Sequence, residues 1–184
     1  MTKDRADFQR VLYVIACAAG PAEHIHELAS LAQKASWNVY VVTTPLAKQF
    51  INTSLVTEQT GHTVRSEYKT AENAESWPPF DAMVVVPATF NTINKFALGI
   101  ADNLAVSLLC EGLGRGRTIV AVPCVNQNHL ARHPAFTKSL TMLKEYGVHV
   151  IYQPDMYPPR NEVPWTIILE ELEKQYNRRI KQSN

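Results

Sequence analysis

The chain has 184 residues, enough for one domain with a proper core and cramped for two. Eighteen lysines and arginines face 17 acidic residues, a net charge of +1, which excludes a long-range field for nucleic acid or an anionic membrane. Cys17, Cys110 and Cys124 form no CxxC pair and leave an odd count, which favours a reducing cytoplasmic setting over a disulfide scaffold.

Met1 to Arg10 is charged and polar, without a signal-peptide core behind it, and the apolar run Val11 to Ala19 is too short to span a bilayer. Val11 to Ile15 lacks clean alternation, as expected of a strand buried on both faces. A loop of small residues, Ala16 to Pro21, follows it. Ile25, Leu28, Leu31, Ala32 and Ala35 then recur at helical spacing. Val39 to Val42 reads as the second strand. It ends in Thr43-Thr44-Pro45, where Thr44 resembles an N-cap with proline at the first helical position.

Thr53 to Phe80 is the least readable stretch, with room for a short helix and an edge strand near Val64. Ala82 to Val86 is the third strand and stops at Pro87. Helices are expected over Thr92 to Leu98 and from about Asp102 to Leu113. Thr118 to Val122, ending at Pro123-Cys124-Val125-Asn126, is the next strand; Pro134 to Tyr146 is a helix before a strand at Val148 to Ile151. The last helix starts near Pro164, with Trp165, Ile168, Leu169, Leu172 and Tyr176 as its apolar stripe. Alternating strands and helices of these lengths specify an α/β architecture with a mainly parallel sheet. One domain over 1–184 is expected, with flexible ends at 1–9 and 178–184. Tyr152 to Pro164 reads as a surface loop or a lid.

Three strand exits carry small or polar residues: Ala19-Gly20, Thr43-Thr44 and Pro87 to Thr92. Strands lying side by side would bring these exits into one rim, where hydroxyls and backbone N–H groups suit a phosphate. Ordinary helix capping is the plain alternative for each threonine and for Asp102-Asn103. Asn91 and Asn126 are amides at strand exits, suited to a ring edge, a carboxylate or simply a turn. No GxGxxG follows the first strand and no GxxxxGK[ST] occurs, which removes support for classical dinucleotide binding and Walker-type hydrolysis. Gly112 to Arg117 precedes a strand and fits a helix C-cap and turn. His24 with His26, and His129 with His133, lack an evident third ligand for a metal. Cys124 reads as a buried structural thiol, and the tryptophans as packing anchors.

The run Pro87-Ala88-Thr89-Phe90-Asn91-Thr92, with Lys95, Gly99-Ile100-Ala101-Asp102-Asn103 and Leu104, resembles the central signature of the homo-oligomeric flavin-containing cysteine decarboxylase superfamily. The likeness extends to Thr43-Thr44-Pro45-Leu46-Ala47 and to Pro123-Cys124-Val125-Asn126. It implies a three-layer Rossmann-like domain of flavodoxin-like strand order that binds FMN and self-associates to a trimer or dodecamer. By the same resemblance, Gly20, Thr43 and Thr44 would lie near the phosphate or ribityl chain, and Ala88, Thr89, Asn91 and Thr92 around the flavin. Asn103 would belong to the supporting motif. Cys124 and Val125 would approach the ring, and Asn126 would hold a substrate carboxylate.

The chain also departs from the family. Thr70 to Phe80 holds no histidine where the decarboxylases carry one, and no cysteine follows Cys124. The reading is therefore an FMN-binding, decarboxylase-like lyase or relative acting on an unknown small carboxylated substrate. Its alternatives are a non-catalytic flavin-binding or regulatory protein and a flavin prenyltransferase-like enzyme, the latter without a convincing basic cluster for a prenyl phosphate.

Overall fold

The apolar runs form five parallel strands: β1 (Arg10–Ala16), β2 (Trp37–Thr43), β3 (Ala82–Ala88), β4 (Thr118–Pro123) and β5 (His149–Val150). Their order is β2-β1-β3-β4-β5, the flavodoxin-like arrangement, with the topological switch between β1 and β3. The computed structural model describes residues 10–68, 77–154 and 163–183.

Because both faces of a parallel sheet are covered, the strands are apolar on both sides. Tyr13, Ile15, Met83, Val85, Ile119 and Ala121 face a layer built from α3 (Phe90–Leu98), α4 (Leu104–Gly114) and α5 (Pro134–Glu145). Leu12, Val14, Val84, Val86 and Val120 face α1 (Ile25–Lys34) and α6 (Trp165–Ser183), with Val56 of α2 (Thr53–Thr60) in the same cluster. The expected stripe on α6 is real: Trp165, Ile168 and Leu172 are buried, with Leu169 and Tyr176 packed beside them. Gly112 has a packing reason of its own. A Cβ there would stand 2.7 Å from Met83 Sδ, so its absence lets α4 lie close on the sheet.

Several boundaries differ from expectation. β3 does not stop at Pro87 but runs on to Ala88, because the register shift between Val85 and Ala88 makes a bulge that tolerates a residue without an N–H. The edge strand near Val64 reduces to one bridge, Val42 with Arg65, and β5 is only two residues long. α3 begins at Phe90 and α4 at Leu104, since Thr89 and Asn103 occupy the N-cap positions. Thr44 precedes a 3-10 turn (Pro45–Gln49), but its side chain makes no capping bond. α6 stays helical through 178–183, whereas 1–9, most of the Thr70 to Phe80 segment and residues 155–162 of the expected lid lie outside the described residues. Among the described residues, no helix is long and apolar enough to cross a membrane.

α6 is tied to the sheet by one polar cluster. Glu173 accepts from Trp37 Nε1 (2.6 Å) and from Arg10 Nη1 (2.8 Å). The Arg10 guanidinium also covers the Trp37 ring at 4.2 Å and donates to the Ala35 carbonyl (2.6 Å). Replacing Glu173 by Ala strands the indole N–H of the buried Trp37 and should lower stability by about 2 kcal/mol. Urea unfolding checks this, and a loss under about 0.5 kcal/mol would show that the cluster is dispensable.

Candidate functional site

The loops after β1, β2, β3 and β4 meet at the carboxyl edge of the sheet. Backbone hydrogen bonds set their height: Cys17 N–H donates to Pro87 O (3.1 Å), Cys124 N–H to Ala88 O (2.8 Å) and Thr44 N–H to Ala16 O (3.0 Å). The exits expected to share a rim therefore do so. A cavity of about 30 Å³ sits among them, between Pro21, Pro87, Cys124 and Tyr152.

The helical segments that leave this edge from β1, β2 and β3 share one property. The turn Gly20–His24, the turn Pro45–Gln49 and α3 all begin without a side-chain cap, at Ala19, Thr44 and Thr89. By contrast Asn52 caps α2, Asn103 caps α4 and His133 caps α5, each accepting from a backbone N–H, while α1, which continues from the Gly20–His24 turn, and the turn Leu130–Arg132 after β4 also start without a side-chain cap. Uncapped N-termini leave backbone donors and positive dipole ends directed at whatever binds there. α3 is the full-length helix of the three, and an anion is the partner that such an end favours.

Side chains along the rim are short. Thr43 is fully buried, and its Oγ1 has no hydrogen-bond partner although its N–H donates to Arg65 O (2.7 Å). Thr92, also buried, has its Oγ1 3.1 Å from that of Thr89 and accepts from Cys17 Sγ (3.2 Å). Ala88 is buried, Asn91 is exposed on the first turn of α3, and Gly20 is exposed at the start of its turn. Cys17 is the rim residue that sequence reasoning missed. It sat in an apolar run with only its neighbourhood to Gly20 as a signal.

The β4 exit is different in kind. Val125 is buried, whereas Asn126 is exposed and its Oδ1 accepts from Asn128 N–H (2.9 Å), a turn that holds the amide in place. Ala131 N–H closes the same loop onto the Asn126 carbonyl (3.0 Å). Next to it His133 stands edge-on to Phe90 at 5.7 Å; its Nδ1 accepts from Ala135 N–H, so a neutral ring carries its hydrogen on Nε2.

Asn103 spends its side chain locally, accepting from Val106 N–H (3.2 Å) and donating to Asp102 (2.9 Å). Asp102 in turn pairs with Lys95 at 2.5 Å, and that bond holds its carboxyl below the usual carboxylate range. Together they brace the α3–α4 junction. His62, the nearest histidine to the family's missing one, is stacked on Tyr40 (3.9 Å) and bonded to Asn38 (2.7 Å). Among the described residues no group of three His, Cys, Asp or Glu side chains is placed to hold a metal.

The family model described as Flavoprotein matches residues 2–173. The chain belongs to the Flavoprotein family. It is 30% identical to the epidermin decarboxylase of Staphylococcus epidermidis over 125 residues, 64% of this chain and 63% of that one. It is 28% identical over 145 residues to the coenzyme A biosynthesis bifunctional protein CoaBC of Bacillus subtilis, 73% of this chain and 34% of the relative. The chain thus spans less than two thirds of the length of the curated relatives it matches. The crystal structure of the FMN-dependent cysteine decarboxylase SpaF shares its fold, with a TM-score of 0.73 at 21% identity, covering 91% of this chain and 97% of that one.

Two outcomes follow from the rim geometry. With no partner for its hydroxyl, Thr43→Val should leave the ligand-free protein as stable or up to about 1 kcal/mol more stable by urea unfolding. A loss larger than about 1 kcal/mol would mean that the hydroxyl is satisfied. Burial pushes the Cys124 thiol up to about 11, with Cys17 beside it adding to the effect. Cys124 should therefore resist iodoacetamide at pH 7.5 and react roughly tenfold faster per pH unit above it, followed by peptide mass spectrometry. Cys124 is only half-buried, against the expectation of a buried thiol, and fast alkylation at neutral pH would contradict its being held protonated.

Proposed function

We propose that this Flavoprotein family member binds FMN on the carboxyl rim and acts on a small thiol that carries a carboxylate. The observation that carries the reading is that one sheet edge holds both the buried, unpartnered Thr43 hydroxyl and three uncapped helical starts. A phosphate-bearing group fits that donor set, since it takes several short hydrogen bonds at once. Gly20, Thr43 and Thr44 hold the phosphate and ribityl end, while the α3 N–H groups with Thr89 and Thr92 supply further donors. Ala88 and Val125 offer flat apolar contact to a ring, with Asn91 and Cys124 at its border.

FMN, when bound, supplies the two-electron oxidation that activates a thiol next to a carboxylate for loss of carbon dioxide. The protein's share is orientation. With Oδ1 of Asn126 committed to Asn128, the amide NH₂ is the group this residue can donate to a substrate carboxylate. Partial burial pushes the Cys124 thiol up, so it borders the ring as a protonated packing group. The similarity to epidermin decarboxylase and to the FMN-dependent cysteine decarboxylase SpaF supports the same assignment. The exposed Leu98 and Ile100, beside the Lys95–Asp102 pair, are apolar surface suited to self-association. A cytoplasmic location fits the three free cysteines.

Asn91→Trp, at an exposed position of the first α3 turn, should abolish FMN retention without unfolding the protein. Flavin stoichiometry equal to wild type after gel filtration would sink this placement. FMN-loaded protein should release carbon dioxide from a peptide ending in cysteine, and Asn126→Ala should reduce that rate by ten-fold or more. Stable flavin with no carbon dioxide release would favour the non-catalytic reading, which the lack of a histidine in Thr70 to Phe80 supports.

A further inference from the structure

The opposite edge of the sheet carries a second open cleft that the flavin reading does not use. It has a volume of about 410 Å³ and lies where the amino ends of β4 and β5 meet the last turns of α6. Its character is cationic: Arg117, Arg178 and Arg179 line it, with His149 and the exposed Tyr146 at its border. Arg117 and Arg178 make no ion pair with a carboxylate among the described residues. The acid at its flank is Glu171, which is occupied by His149 (3.2 Å), Gln175 (2.7 Å) and Lys174 (3.4 Å).

Arginines at such an edge often serve to neutralise helix carboxyl ends, so that role must be weighed first. Here the chain already satisfies those carbonyls. Arg115, Gly116 and Arg117 N–H donate back to Glu111, Leu113 and Gly112 of α4, and Tyr146, Gly147 and Val148 N–H to Met142, Lys144 and Leu143 of α5. Each helix end contributes only about half a negative charge, so Arg117 and Arg178 alone exceed the α4 and α5 ends. A second, independent feature lies among them. Thr118 also lines the cleft, is only 7% exposed, and its Oγ1 has no hydrogen-bond partner. The cleft is also open, because a Cβ at Gly147 would meet nothing within 4 Å.

We infer that this cleft binds a small phosphate-bearing anion, at a site separate from the flavin rim. Guanidiniums at two sides match phosphate oxygens, and a buried hydroxyl completes the donor set. The volume exceeds what one phosphate fills and leaves space for an organic body. Inorganic pyrophosphate and an organic diphosphate share the recognised chemistry.

Calorimetric titration of the full chain, loaded with one equivalent of FMN and freed of excess flavin, separates the possibilities. Pyrophosphate and ADP serve as the two probes, against wild type, Arg117→Gln, Arg178→Gln and Thr118→Val. Both arginine variants should weaken binding by ten-fold or more, and Thr118→Val by less. Tighter binding of ADP than of pyrophosphate would identify an organic diphosphate; equal or weaker binding would identify the inorganic anion. If Arg117→Gln fails to fold by circular dichroism, Arg178→Gln decides, because that side chain is exposed on α6. No binding of either probe, or binding indifferent to Arg178, would overturn the proposal. Dependence on Arg178 is read whether or not flavin occupies the rim, so failure here is distinct from failure of the flavin reading.

Discussion

Two hydrogen bonds at the end of β3 fix the geometry on which the candidate site depends. Cys17 donates to Pro87 from one side and Cys124 donates to Ala88 from the other, at 3.1 and 2.8 Å. They carry the ladder past the point where the bulge and Pro87 would otherwise end it. The loops from β1 and β4 consequently leave the sheet at the height of the β3 exit, and Thr89 begins α3 between them. Without that alignment, three polar strand exits would be three separate turns. With it they make one surface at the topological switch of an open parallel sheet, where ligands bind.

The same alignment explains where the chain forgoes stability. A side-chain cap contributes about 1 kcal/mol to a helix, and α2, α4 and α5 each have one. The segments after β1, β2 and β3 go without, and Thr43, at the end of the edge strand β2, keeps a buried hydroxyl unpaired. Local rules broken together at one place mark a site rather than a defect. A bound phosphate group supplies at once the acceptors that four separate side-chain solutions would have supplied.

Much of this was legible in the residues. The β-branched runs and the stripe from Trp165 to Tyr176 carry strong periodic signals, and they place strands and helices on the correct faces. What failed depends on neighbours. Proline at 87 normally ends a strand, and only a bulge against β4 lets it stay. Val64 looked like strand, but a single bridge to Val42 is all that region pairs with. The threonines at 44 and 89 have the residue type of a cap but make no capping bond, which sequence cannot register because a cap is a distance. Asn126 shows the converse: its turn with Asn128 is local and was among the readings open to it, while any hold on a substrate carboxylate needs a partner. Cys17 was overlooked because nothing in one dimension places it beside Thr92, 75 residues away.

Family membership rests on a match across residues 2–173, and the rim is where this chain's own chemistry agrees with it. The most direct test is the absorption spectrum of natively purified protein, with mass spectrometry of whatever small molecule heat releases. The account predicts flavin absorption and released FMN, close to one per chain. A colourless protein that also fails to take up added FMN would contradict it, and the uncapped rim would then need another ligand.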